Sequence, residues 1–139
     1  MSKKMHWRIS TALFLLSFAA VAVIAAAVIW SFTARSSDEG VVLEWRTGNE
    51  ASLDHFDLLR DDGASGNFVI INPEPILPKG SNSFYTYIDR SVFKPTDRFY
   101  RYRLLIVNKG SPPDTMEANV LHSVSSVKRT WGSIKAMFR

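Results

Sequence analysis

Hydrophobic and polar positions divide this chain into three regimes. From residue 9 to 32 apolar side chains run almost without interruption, ISTALFLLSFAAVAVIAAAVIWSF, with Ser10, Thr11, Ser17 and Ser31 as the polar side chains and no charge between Arg8 and Arg35. A helix of about 24 residues at ~1.5 Å each reaches roughly 36 Å, enough to cross a hydrocarbon core of about 30 Å with some tilt. The pattern predicts a transmembrane helix over 9–34 behind a short cytoplasmic segment, 1–8. Trp7 and Trp30 bracket it, one near each membrane–water interface, where an indole keeps its ring among headgroups and its N–H wet.

From Val41 the period changes to two. Val41, Leu43 and Trp45 alternate with Val42, Glu44 and Arg46, and TGNEAS then breaks the run. Phe56 and Leu58 flank Asp57 before a turn through DDGASG; Phe68 to Ile71 is brief and stopped by NPEP; Phe84, Tyr85 and Tyr87 begin a fourth strand ending near Asp89. The longest run, Phe99 to Val107, sets Tyr100, Tyr102, Leu104 and Ile106 on one face and Arg101 and Arg103 on the other, and a weaker strand covers 115–121. Six short strands punctuated by Gly, Pro, Asn and Asp predict a two-sheet β-sandwich over 36–121, its missing first strand supplied by 36–40.

The third regime has a helical period. Val120, Val124, Val127, Trp131, Ile134 and Phe138 recur every three or four residues with Met137 beside them, while Lys128, Arg129, Lys135 and Arg139 lie largely off the stripe. An amphipathic helix over 123–139 follows, weakened by Gly132. Three destinations stay open for it: the outer membrane surface with its bases on anionic lipid headgroups, a groove on a neighbouring protein, or its own β-domain.

Charge sorts along the same boundaries. The net +4 of the 139-residue chain is the sum of +4 over 1–35, 9 bases against 13 acids over 36–121, and +4 over 122–139. Basic ends point to anionic lipid or an acidic partner and away from a nucleic-acid-binding globular domain. Lys3, Lys4 and Arg8 precede the apolar run without any acid, which orients the N-terminus to the cytoplasm and the sandwich to the periplasmic or extracellular side. A cleaved secretory signal, cut after Ala27 or Ala34, is the competing reading, although its apolar stretch is usually about 7 to 15 residues. Ala22 and Ala26 form a small-xxx-small pair through which another helix could pack. No ionisable residue lies inside the run, which argues against an ion relay there; His6 lies outside it as an interfacial residue.

The stretch VVLEWRTGNEASLDHFDLLRDDGASGNFVIIN, followed by FYTYIDRSVFKPTDRFYRYRLLIVNKG, resembles the fibronectin type III family, in particular bacterial modules reading W-x-T, F-x-L-x-R and Y-x-Y-R-L in successive strands. The resemblance covers about 38–121 and implies an Ig-like sandwich. It implies that Trp45 is the core tryptophan of the second strand and that Phe56 and Leu58 are the inward side of the third. Tyr85 and Tyr87 would belong to the fifth strand, and Tyr100 and Tyr102 to the sixth. Tyr100 would be the tyrosine whose hydroxyl returns to nearby backbone, although Phe99 occupies the place the common spacing from Pro95 would give it. Binding and scaffolding, not chemistry, are what the family implies.

Candidate chemistry is sparse. Without cysteine there is no disulfide, thiol nucleophile or cysteine metal site. Asp54, His55 and Asp57 cluster and His122 is distant, but no HExxH, P-loop, dinucleotide-binding or GxSxG pattern occurs. The adjacent acids of DDG lack the spaced oxygens of a calcium loop, and Asp61, Asp62 and Asp89 are ordinary turn formers. No cofactor, metal or small-molecule substrate is expected. Ile76 and Leu77, between the prolines of NPEPILPKGSNS, either cover the core edge or form a docking knob, and Phe93 faces the same choice. The expected function is a non-catalytic, single-pass accessory or scaffold subunit of an integral membrane protein complex, docking through the sandwich, Ile76, Leu77 and the C-terminal stripe. The competing function is a free-standing envelope receptor or adhesion module for an external protein or carbohydrate.

Overall fold

In the computed structural model, residues 26–63, 65–92, 97–123 and 134–138 are described. Seven strands are present among them: β1 (Ile29–Ser37), β2 (Gly40–Thr47), β3 (Leu53–Asp61), β4 (Val69–Ile70), β5 (Phe84–Asp89), β6 (Arg98–Asn108) and β7 (Asp114–His122). They form two antiparallel sheets, a three-stranded one ordered β1-β2-β5 and a four-stranded one ordered β4-β3-β6-β7. The architecture is an all-β sandwich. No helix among the described residues is long and apolar enough to cross a membrane.

The period-two pattern becomes the core directly. Pairing Trp45 with Tyr85, Phe56 with Ile106, and Leu58 with Leu104 turns every second residue of β2, β3, β5 and β6 inward. Trp45, Phe56, Leu58, Tyr85, Tyr100 and Tyr102 are all buried. The Trp45 indole stacks on Tyr85 with ring centres 5.0 Å apart and meets Phe56 edge-on at 5.6 Å, the arrangements that ring quadrupoles favour.

The largest departure from the sequence reading lies at the start of the domain. The first strand is not 36–40 but Ile29–Ser37, so residues 29–34 of the expected transmembrane helix are a β-strand. Phe32, Ala34 and Ser36 pair with Trp45, Leu43 and Val41, while Ser31, Thr33 and Arg35 face outward. Satisfying a full row of backbone groups on β2 and burying Phe32 outweighs continuing a helix into solvent. Trp30 therefore belongs to a strand rather than to a helix end; it sits at a bulge in the β1–β2 register and is 63% exposed. Of the apolar run, 9–25 lie outside the described residues, as do Trp7 and Ala22; Ala26 is exposed and in no regular element.

Three smaller corrections follow. The strand expected over 68–71 is only Val69–Ile70, both exposed at a sheet edge. Val120, expected in the helical stripe, belongs to β7 and packs against the core, and strand structure continues to His122. The expected C-terminal helix is helical over 134–137, with Ser123 outside any element; Val127, Lys128, Arg129 and Trp131 lie outside the described residues.

The chain reverses between β1 and β2 through a two-residue turn into Gly40, whose φ is 139°. A Cβ there would lie 2.1 Å from the Asp89 carbonyl oxygen, so glycine is required where the β1–β2 turn meets the end of β5.

Candidate functional site

The sandwich has two unlike ends, each built around a buried carboxylate. At the end where β1 begins, the backbone lashes the entering chain in place. Val28 N–H donates to Asn49 O at 3.0 Å, Gly48 N–H to Val28 O at 2.8 Å, and Ala27 N–H to the Asn108 side-chain oxygen at 3.1 Å. Beside them Glu50 is buried and accepts from the Thr47 hydroxyl, from the Tyr85 hydroxyl at 2.8 Å and from Gly80 N–H at 2.9 Å. Lys79 N–H donates to the same Tyr85 oxygen at 2.7 Å. The sequence reading took NEAS as a plain polar break; it is the cap that holds the proline loop against the core. Burial, with the neighbouring Glu50 carboxylate, pushes the Tyr85 hydroxyl up to about 12.

At the opposite end, Asp89 closes β5 and joins the two sheets. Its carboxylate accepts from Arg60 of β3 at 2.6 Å, from the Tyr102 hydroxyl of β6 at 3.0 Å, and from both the N–H (3.1 Å) and hydroxyl (2.6 Å) of Ser91. Burial opposes ionisation of Asp89, but the Ser91, Arg60 and Tyr102 donors together hold the carboxyl below its ordinary range. Burial likewise acts first on Tyr102, and the adjoining Asp89 charge pushes that hydroxyl further above its usual value. Asp61 is a second buried carboxylate, bound in two-pronged fashion by Arg101, which with the Ser65 hydroxyl holds it low. The DDG turn is therefore an ion-paired strand end. Asp61 spends its oxygens on Arg101 and Ser65.

These placements redistribute the expected tyrosine roles. Tyr100 is buried and lies 5.7 Å below the Arg60 guanidinium, whereas the hydroxyl tie across the sandwich is made by Tyr102. The segment upstream of β6 where a Tyr100 hydroxyl would return, 93–96, lies outside the described residues together with Phe93. The inward alternation of both tyrosines was readable; the partner Asp89, on another strand, was not.

The histidines do no joint work. His55 sits between Asp54 at 2.7 Å and Asp57 at 3.4 Å on the outer face of β3. His122 is buried at the end of β7 with Nδ1 2.9 Å from the Ser36 hydroxyl of β1, and its Nε2 has no partner. Among the described residues no three His, Asp or Glu side chains converge for a metal.

Of the candidate docking residues, Ile76 and Leu77 divide. Ile76 exchanges both backbone hydrogen bonds with Phe56, at 2.8 and 2.9 Å, and packs against the core; Leu77 is 68% exposed. On the C-terminal helix Met137 is 83% exposed and Phe138, just past it, 86%, and Ile134 and Lys135 are exposed too. At these residues the stripe does not pack on its own β-domain. Ser36 and Ser123 share a bond at 3.4 Å, so the chain leaves β7 at the end of the sandwich away from Val28.

No family model and no curated protein matches the chain. Among solved structures it is similar to an Fn3-like protein from Clostridium thermocellum, at 16% identity over 70% of this chain and 95% of that one, with a TM-score of 0.46.

Proposed function

We propose that the chain is a non-catalytic interaction module, held on the outer face of a membrane by an apolar helix over about 9–25, whose C-terminal segment docks on an external protein. The observation that carries this reading is the opposed placement of entry and exit. The apolar run reaches the sandwich at Val28, and β7 releases the chain beside Ser36. Eight residue steps along β1 at ~3.3 Å separate these ends by roughly 26 Å. Residues 9–25 still suffice as a short span, since about 17 residues at ~1.5 Å reach roughly 26 Å, the lower end of what crosses a hydrocarbon core.

Exposure of Met137 and Phe138, on a segment that leaves the sandwich at the end away from Val28, favours a protein groove over the chain's own core as the stripe's destination. Lys128, Arg129, Lys135 and Arg139 around the stripe favour an acidic groove rim. A receptor or adhesion module fits this arrangement better than a subunit buried within a membrane complex, because the chain leaves β7 at the end of the sandwich opposite the proposed span.

Recovery of the tagged full chain from membranes in mild detergent, compared with Met137→Asp/Phe138→Asp, tests the reading. A partner retained by the parent and lost by the variant, at unchanged thermal unfolding of the sandwich, is the expected result. Partner recovery that survives the double substitution overturns the docking role of the stripe. A stoichiometric set of integral membrane proteins, instead of an external protein, would restore the accessory-subunit reading.

A further inference from the structure

We propose that the end of the sandwich where β1 begins is itself a lipid-headgroup surface, seated on anionic phospholipid through Trp30, Phe84, Arg46, Lys79 and Lys109. This rests on the proposal that 9–25 span a bilayer.

The first support is the absence of slack. Ala27 and Val28 are already hydrogen-bonded into the sandwich, to Asn108, Asn49 and Gly48. A span ending near residue 25 would leave Ala26 alone as linker, and the loops sharing that end, 48–52, 79–83 and 109–113, would meet the headgroup region within a few side-chain lengths.

The second is the character of the rim. Trp30 is mostly exposed, and its indole lies so close over Gly48 that a Cβ there would come within 2.9 Å of the ring nitrogen. Phe84, 49% exposed, carries the Arg46 guanidinium over its ring at 5.6 Å. Aromatic rings beside basic groups are what the membrane interface accommodates.

The third is charge. Lys79, Lys109 and Arg46 are exposed at this end beside the exposed acids Asp54 and Asp114; Lys79 Nζ donates to Phe84 O at 3.0 Å and lies 4.6 Å from the Tyr85 ring, while Glu50 is turned inside and spent on Thr47, Tyr85 and Gly80. At the opposite end Asp38, Glu39, Asp62 and Asp97 lie at the surface, with Glu39 paired to Arg90 at 3.0 Å and Asp62 to Arg98 at 3.7 Å. Three exposed bases against two exposed acids therefore stand around the aromatic rim, the side chains that anionic headgroups would meet first.

The chain has no cysteine, so single labels report position cleanly. Ala51→Cys marks the loop between β2 and β3, and Asn67→Cys the loop between β3 and β4 at the far end; both positions are exposed. The full chain carrying a fluorophore at one or the other is reconstituted into phosphatidylcholine vesicles with or without phosphatidylglycerol, containing a lipid with a nitroxide on its headgroup. Quenching at residue 51 is expected to exceed that at residue 67 several-fold. In the anionic vesicles, Lys79→Glu/Lys109→Glu or 0.5 M salt should reduce the difference by half or more. Equal quenching at the two sites in a chain that resists alkaline extraction overturns this proposal alone. A difference that ignores both the charge reversal and salt also overturns it, because the tether would then account for the orientation. Release of the chain by alkaline washing refutes the span, and this surface with it.

Discussion

Substituting Asp89 by Asn removes one charge at the point where the two sheets are tied together. The carboxylate is buried and receives Arg60, Tyr102 and Ser91; the amide keeps the shape but loses the charge and presents an N–H₂ to donors. Breaking a buried ion pair from one side typically costs about 3–5 kcal/mol, because the partner is left unpaired in a low dielectric. Arg60 has partial relief: 21% of its side chain is exposed, its Nη1 lies 2.6 Å from the Ser91 hydroxyl, and it faces the Tyr100 ring. The loss should therefore fall near the lower bound, about 3 kcal/mol. Denaturant unfolding of the full chain in mild detergent, followed by far-ultraviolet circular dichroism, measures it. Arg60→Leu should be destabilising in its own right, and the double variant should lose at least about 1 kcal/mol less than the sum of the singles. Because Asp89 is held below its ordinary range, its stabilisation is present above about pH 4 and is lost as pH falls through its folded value. Asp89→Asn should flatten that acid limb, with Asp61 and Arg101 supplying what remains. A loss under about 1 kcal/mol, or strict additivity with Arg60→Leu, would refute the clamp.

Two further outcomes separate the tyrosines. Tyr102→Phe should cost on the order of 1–2 kcal/mol, since it strips a donor from buried Asp89, and Tyr100→Phe should cost less by unfolding in the same denaturant series. Tyr85, pushed up to about 12, holds its proton more tightly folded than unfolded, so its contribution is complete below about pH 10 and declines as pH rises toward 12. Alkaline titration of the fold should show that decline, and Tyr85→Phe should remove it.

What the sequence disclosed depended on whether neighbours along the chain carried contrasting side chains. In β2, β3 and β6 charged or polar residues alternate with large apolar ones, so Trp45, Phe56, Leu58, Tyr100 and Tyr102 could be placed inward from period alone. In β1 no charge precedes Arg35; inward Phe32 and Ala34 alternate with outward Ser31 and Thr33, a contrast weak enough to merge with the apolar run before it. Glu50 and Asp89 escaped for another reason. Their partners lie 30 and 35 residues away for Glu50 and 29 for Asp89, and a buried carboxylate cannot be told from a turn acid until those strands are docked. Ile76 illustrates the opposite limit, where one residue of an apolar pair is taken by a backbone bridge to Phe56 and its neighbour Leu77 is turned out.

Recognising β1 changes more than a boundary. Successive strands of this sandwich alternate in direction, because every paired neighbour is antiparallel. A domain beginning at β2 would receive the chain at Gly40, the end that also carries His122, and both the tether and the C-terminal segment would then lie against the membrane. With β1 in place the chain enters at Val28, runs the length of the domain before reaching Gly40, and exits β7 at the end it has just climbed to. One strand taken from the end of the apolar run thus inverts the domain relative to any bilayer the run enters. Were the run to span a bilayer, the same inversion would set Lys79 and Lys109 on the membrane-facing end of the domain and His122, where the chain leaves β7, on the other.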